Sequence, residues 1–119
     1  MKILLVEDHP ALAEISCSQL RELHDHEVVH VPDGKSAIAA LAHFRPDLVL
    51  LDLNLPDMTG YDVAANFRAN RELSSVVLVA LTGFGSDVDP LRAEANGIDA
   101  HFRKPMNFDQ LPHIRRRSA

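Results

Sequence analysis

Three short stretches of this chain are apolar on consecutive residues, and each ends abruptly in polar groups. Residues 2–6 (Lys-Ile-Leu-Leu-Val) run into Glu7 and Asp8, Leu48–Asp52 (Leu-Val-Leu-Leu-Asp) stops at Asp52, and residues 76–81 (Val-Val-Leu-Val-Ala-Leu) run into Thr82 and Gly83. A run this short, apolar on both parities and bounded by turn formers, fits a parallel strand buried on both faces, since such a strand has no solvent side to fill with polar residues. In an open α/β sheet, ligands gather outside the C-terminal ends of the strands. The polar groups that close these runs are therefore the first place to look for chemistry.

The intervening segments carry helical spacing. From Pro10 to Leu23 the apolar residues Leu12, Ile15, Leu20 and Leu23 recur on one side, with proline in the first turn. Residues 33–44 form a second expected helix with Asp33 as N-cap, and residues 61–71 a third, after the loop Leu55-Pro56-Asp57-Met58-Thr59-Gly60. Asp89-Pro90 is an N-cap followed by proline at the first helical position. It starts a short fourth helix that Gly97 closes as a left-handed residue. Glu27–Val31 and Ala100–Arg103 are shorter or more polar strands, and a fifth helix is expected from Asn107 or Asp109. Pro112 falls inside that last helix, where an interior proline costs about 3 kcal/mol, so it should start late or bend.

Five strands alternating with five helices imply a parallel sheet with right-handed crossovers and helices on both faces, a three-layer αβα domain. The three most apolar strands belong in the centre and strands 2 and 5 at the edges, which gives the order 2-1-3-4-5. A chain of 119 residues, 46% hydrophobic, has room for one such domain over residues 1–119.

Charge and cysteine content narrow the class further. A net charge of −5 argues against direct nucleic-acid binding, and Arg115, Arg116 and Arg117 are better explained as a helix-dipole complement or the start of a linker. The single cysteine, Cys17, forms no intrachain disulfide and lies in a helical pattern without a basic cluster, so an inert thiol is expected. The N-terminal run meets Glu7 too early for a signal peptide, and no run approaches the roughly 18 residues of a membrane helix. A cytoplasmic protein is expected. His24, His26 and His30 are read as surface histidines rather than a metal cluster, and His9 as a neighbour of the acidic rim.

At that rim the strands deliver Glu7, Asp8 and Asp52, the hydroxyl of Thr82, the backbone N–H of Gly83 and, from the last strand, the ammonium of Lys104. Three converging carboxylates repel one another and persist only with a compensating proton, cation or ammonium. An all-oxygen set with room for water suits Mg²⁺. Asp52, ending the central strand, is the best-placed nucleophile, and carboxylates attack phosphorus to give aspartyl phosphates. Such a transfer asks mainly for positioning and charge neutralisation.

Over essentially its whole length the chain resembles the receiver domains of two-component response regulators, including single-domain chemotaxis regulators and the receivers of hybrid histidine kinases. Five motifs carry the resemblance, in order: Glu7-Asp8, Asp52, the 55–60 loop, Thr82-Gly83 and Lys104-Pro105. It implies the flavodoxin-like form of the α/β sheet and a signalling switch rather than an enzyme acting on other substrates. Asp52 would accept a phosphoryl group from a phosphohistidine of a histidine kinase or a histidine phosphotransfer protein. Asp8, Asp52, the backbone carbonyl of Asn54 and, directly or through water, Glu7 would hold Mg²⁺. Lys104 would pair with a phosphoryl oxygen, and the Lys104-Pro105 bond would be cis. Thr82 would turn inward and Phe102 follow it, altering the surface of helix 4, strand 5 and helix 5. Asn54 and Phe84 would tune water access, with bulky Phe84 slowing hydrolysis. Donor docking would fall beside helix 1 and the loop after strand 5, at Leu12, Ile15 and Pro105.

Three other functions share this topology. An aspartate-nucleophile phosphohydrolase needs a second aspartate two residues after the first, where this chain has Asn54, which cannot transfer the proton. A flavin binder needs a phosphate-cradling loop after strand 1, where Glu7-Asp8-His9-Pro10 would repel phosphate. A phosphorylation-independent interaction module remains the third. Met1-Lys2 resembles a natural start and residues 80–85 resemble receivers fused to hybrid kinases, so a stand-alone regulator and a fragment of a larger protein are both open.

Overall fold

In the computed structural model, described for residues 1–23, 26–83 and 88–116, five parallel strands form one sheet. They are β1 (Lys2–Val6), β2 (Glu27–Val31), β3 (Leu48–Asp52), β4 (Val77–Thr82) and β5 (Ala100–Arg103), in the order β2-β1-β3-β4-β5. The consecutive apolar runs are the three central strands, as their lack of a polar face requires. Alternation then divides their side chains between two cores. Leu4, Val6, Val49, Leu51, Leu78 and Ala80 face one layer. Ile3, Leu5, Leu48, Leu50, Val79 and Leu81 face the other. Each leucine fully buried here stabilises the fold by roughly 2 kcal/mol relative to exposure.

The first core is covered by α2 (Gly34–Ala40), α3 (Gly60–Ala69) and the short α4 (Pro90–Ala95), through Ala37, Val63, Ala64, Phe67 and Ala93. The second is covered by α1 (Pro10–Leu23), through Ala13, Cys17 and Leu20, and by the segment after β5, through Met106, Phe108 and Leu111. The helix starts have local causes. Asp33 caps α2 by accepting the Ser36 N–H at 2.7 Å. Thr59 and Asp62 close α3 with a capping box, and Asp89 caps α4 on Leu91 and Arg92 with Pro90 behind it. Gly97, at φ 78°, ends α4 in the left-handed region with the Arg68 side chain against it.

The structure corrects three expected elements. The segment after β5 is no α-helix: Phe108–His113 is a 3₁₀ turn capped by Asn107, so the described residues hold four α-helices rather than five. Pro112 lacks the N–H an α-helix would need there, and the tighter hydrogen-bond pattern suits a short piece. The second helix ends at Ala40 instead of residue 44, because the N–H groups of Leu41, Ala42 and His43 reach back three residues. Arg45 precedes Pro46 and is steered out of the helical region. The third ends at Ala69, where Asn70 turns out (ψ 112°) and caps the 3₁₀ turn Arg71–Leu73.

The arginine tail has a role its sequence did not signal. Arg116 bonds the Ser74 carbonyl at 2.8 Å and the Asp99 carboxylate at 2.5 Å. Asp99, with no exposed side-chain surface, also takes Arg68 at 2.8 Å and the Leu78 N–H at 2.9 Å. Arg116 is thus an ion-pair partner rather than a dipole complement. Arg117, His24 and Phe84 lie outside the described residues. No described helix is long and apolar enough to cross a membrane.

Candidate phosphoacceptor site

Register brings the site together. Val6 pairs with Leu51, so the next residues, Glu7 and Asp52, come level at the ends of β1 and β3. Thr82 pairs with Arg103, which leaves Lys104 one step beyond, its N–H on the Thr82 carbonyl at 2.8 Å. Glu7, Asp52 and Lys104 share the parity of Leu5, Leu50 and Phe102, so all three side chains leave the sheet on the α1 side. The Lys104-Pro105 peptide is cis.

Lys104 joins the two carboxylates. Its ammonium lies 2.6 Å from Glu7 Oε1 and 2.9 Å from Asp52 Oδ2. Burial opposes its charge, but the hydrogen bonds to Glu7 and Asp52 outweigh that and hold its pKa above the usual lysine range. Asp52, only 4% exposed, accepts the Asn54 N–H on Oδ1 at 3.0 Å. Glu7 is 5% exposed, and burial pushes its carboxyl above the usual range; Lys104 pulls it down and the neighbouring Asp52 pushes it up.

Glu7, Asp8 and Asp52 each present an oxygen within 4.8 Å of the others. Asp8 is exposed and the other two are buried. Glu7 Oε2 is buried without a hydrogen-bond partner, an orphan acceptor in a cluster of carboxylates. A hard divalent cation satisfies that arrangement: it takes oxygen ligands, supplies the missing partner and offsets the repulsion that one ammonium only partly cancels. The donor set therefore fits Mg²⁺. The open cleft around it is lined by Glu7, Asp8, His9, Asp52, Asn54, Gly83 and Lys104.

Two expected switch residues stand apart from that cleft. Thr82 is buried, and its hydroxyl donates to the Phe102 carbonyl at 3.5 Å, toward β5. Phe102 is half-buried against the α1-side core. A Cβ added at Gly83 would meet nothing within 4 Å, so its backbone stands open to a ligand. Cys17 is buried, and burial raises its thiol pKa, as an inert thiol requires. His30, read as a plain surface histidine, donates from Nε2 to the Glu7 carbonyl at 2.7 Å, which fixes the ring proton on that nitrogen. Leu12 and Ile15 are exposed on α1, beside a groove that includes Pro105 and Phe108.

A larger hollow, about 810 Å³, lies beyond the opposite ends of the strands between α3, α4 and Arg116. Its guanidiniums, Arg68 and Arg116, are already engaged by Asp99, and it offers no carboxylate cluster.

Comparison with known proteins agrees with this geometry. The family model of the response regulator receiver domain matches residues 3–115. The DNA-binding response regulator MtrA of Mycolicibacterium smegmatis is 39% identical over 110 residues, covering 92% of this chain and 46% of its own length. The chain thus spans about half the length of the curated relatives it matches. Among solved structures, the receiver domain of sensor histidine kinase PA1611 from Pseudomonas aeruginosa, with a magnesium ion coordinated in its active site cleft, superposes with a TM-score of 0.80 at 30% identity, covering 94% of this chain and 91% of that one. Chemotaxis response regulator CheY4 of Vibrio cholerae gives 0.82 at 26% identity, covering 94% and 92%. The chain belongs to the response regulator receiver domain family.

Proposed function

We propose that this receiver domain, over residues 1–119, is a phosphoacceptor switch in which Asp52 takes a phosphoryl group from a phosphohistidine of a histidine kinase or histidine phosphotransfer protein. As a receiver it is a signalling domain rather than a classical enzyme. The observation that carries the reading is Asp52 itself, a buried carboxylate at the end of a central strand, with Lys104 on one oxygen and the Glu7-Asp8 pair beside it.

An Asp52 carboxylate oxygen attacks phosphorus while the bond to the donor imidazole breaks, its electron pair leaving on the imidazole nitrogen. Lys104 and the Gly83 N–H meet the charge on the phosphoryl oxygens. Asp8, Asp52, Glu7 and the Asn54 carbonyl would hold Mg²⁺, which supplies charge neutralisation between the carboxylates and the phosphoryl group. Aspartyl phosphate carries roughly two negative charges where Asp52 carried one. That gives the Thr82 hydroxyl a stronger acceptor than the Phe102 carbonyl it now bonds, and as Thr82 turns, Phe102 moves with it. The surface of α4, β5 and the 3₁₀ segment changes as a result, and a downstream protein or fused output domain reads it.

Asn54 at the second position after Asp52 disfavours a phosphohydrolase, since an amide cannot serve as the acid and base. The location is cytoplasmic in this reading, with no direct nucleic-acid or membrane contact by the domain.

Borohydride reduction of the phosphorylated protein converts an aspartyl phosphate to homoserine at the modified residue. Peptide mapping should place homoserine at position 52. Homoserine at position 8 or 57 instead would overturn the assignment.

A further inference from the structure

Asp57 sits in the loop between Asp52 and α3, three residues past Asn54, yet its carboxylate is engaged on another element. Oδ1 accepts the Gly34 N–H and Oδ2 the Lys35 N–H, each at 2.9 Å. Those are the first two residues of α2, whose own cap, Asp33, reaches only the Ser36 N–H. A helix start leaves several N–H groups without intrahelical partners. Here two carboxylates from two loops share them, and the two amides together hold the Asp57 pKa below the usual range.

The contact between loop and helix is tight. A Cβ on Gly34 would fall 2.4 Å from Met58 Cγ and 2.9 Å from Val63 Cγ2, so Met58 rests directly on the start of α2. At its base the same loop is closed by the Asn54–Thr59 bridge, by the Gly60 N–H on the Leu53 carbonyl at 2.9 Å and by the Asn54 N–H on Asp52 Oδ1. The loop is therefore fixed at its base to Asp52 and at its tip to α2. Asn54 is part of the base fixing, three residues before the Asp57 contact at the tip.

We propose that Asp57 is a positioning residue for the cation site: by clamping the 54–59 loop to the N-terminus of α2, it holds the Asn54 carbonyl at the edge of the carboxylate cluster. The inference rests on the reading of that cluster as a Mg²⁺ site. Mutation of a residue that orients a metal ligand from behind typically costs about ten- to a hundredfold in metal affinity.

The two caps of α2 make the test. Asp33→Ala removes a cap from α2 without touching the loop, whereas Asp57→Ala removes a cap and frees the loop. Mg²⁺ alone is titrated calorimetrically into wild type and variants, and hydrogen exchange of the Asn54 and Gly60 amides is followed in the same proteins. Asp57→Ala should weaken Mg²⁺ binding about tenfold and speed exchange at both amides. Asp57→Asn, keeping one acceptor oxygen, should fall between, and Asp33→Ala should match wild type in both readouts. Equal losses in Asp33→Ala and Asp57→Ala would mean that α2 stability alone is felt, and would overturn the proposal. So would Mg²⁺ affinity within about twofold of wild type in Asp57→Ala. A wild type that takes up no Mg²⁺ overturns the cation reading instead, and the exchange measurement then decides the clamp by itself.

Discussion

Glu7 is buried, faces a second carboxylate and has one oxygen without a hydrogen-bond partner. Its carboxyl is raised in the fold, so the folded chain takes up its proton more readily than the unfolded chain. The stability this group contributes is present at low pH and is lost as pH rises through the raised value. Mg²⁺ bound at this cluster would favour the ionised carboxylate and reverse that loss. The rise in thermal midpoint given by Mg²⁺ should therefore be largest at neutral pH and shrink as pH falls from there through the raised Glu7 value. A Mg²⁺-induced shift that stays constant over that interval would show that Glu7 is no part of the cation's environment. At this scale the convergence of Glu7, Asp8, Asp52 and Lys104 was legible because each lies at, or within two residues past, the C-terminal end of a strand. Asp57 was visible only as part of a loop motif, and nothing local indicates that its partners are Gly34 and Lys35, 23 and 22 residues away.

The elements show where pattern is decisive and where context takes over. All five strands and their order were legible: the three runs apolar on both parities, bounded by turn formers, read as central strands, and the shorter or more polar β2 and β5 fell to the edges. The shortened α4 was legible from Asp89-Pro90 and Gly97, which mark its ends chemically. The segment after β5 was not. Its apolar residues Phe108 and Leu111 fit a helix as well as a 3₁₀ turn, and the tail is held by Arg116 on Asp99, a pairing between a C-terminal residue and a loop. Asp99 gathers α3, β4 and this tail through Arg68, the Leu78 N–H and Arg116. Its removal leaves two guanidiniums without their shared anion. Asp99→Ala should cost roughly 3–5 kcal/mol in denaturant unfolding, and Arg116→Ala, on a partly exposed side chain, about 1 kcal/mol. Similar small losses in both would show that the network contributes little to holding the C-terminal segment. Tyr61 makes a matching connection at the other end of α4, where its hydroxyl accepts the Asp89 N–H at 3.0 Å and its ring lies under Arg92. α3 thus grips α4 near both ends, through Tyr61 in its first turn and Arg68 in its last.

For the whole molecule, the sheet places two different kinds of charge at its two ends. The C-terminal rim concentrates carboxylates around a single ammonium and leaves an acceptor unsatisfied, an arrangement that fits a hard divalent cation. The other end concentrates guanidiniums around a single buried carboxylate that bonds Arg68, Arg116 and the Leu78 N–H, an arrangement that holds structure together. The central claim concerns the first end, and intact mass tests it most directly. Wild type and Asp52→Asn are incubated with acetyl phosphate, with and without Mg²⁺. One phosphoryl group gained by the wild type only when Mg²⁺ is present, and by the variant under neither condition, is the expected result. No gain in the wild type, or an equal gain in Asp52→Asn, would contradict the account.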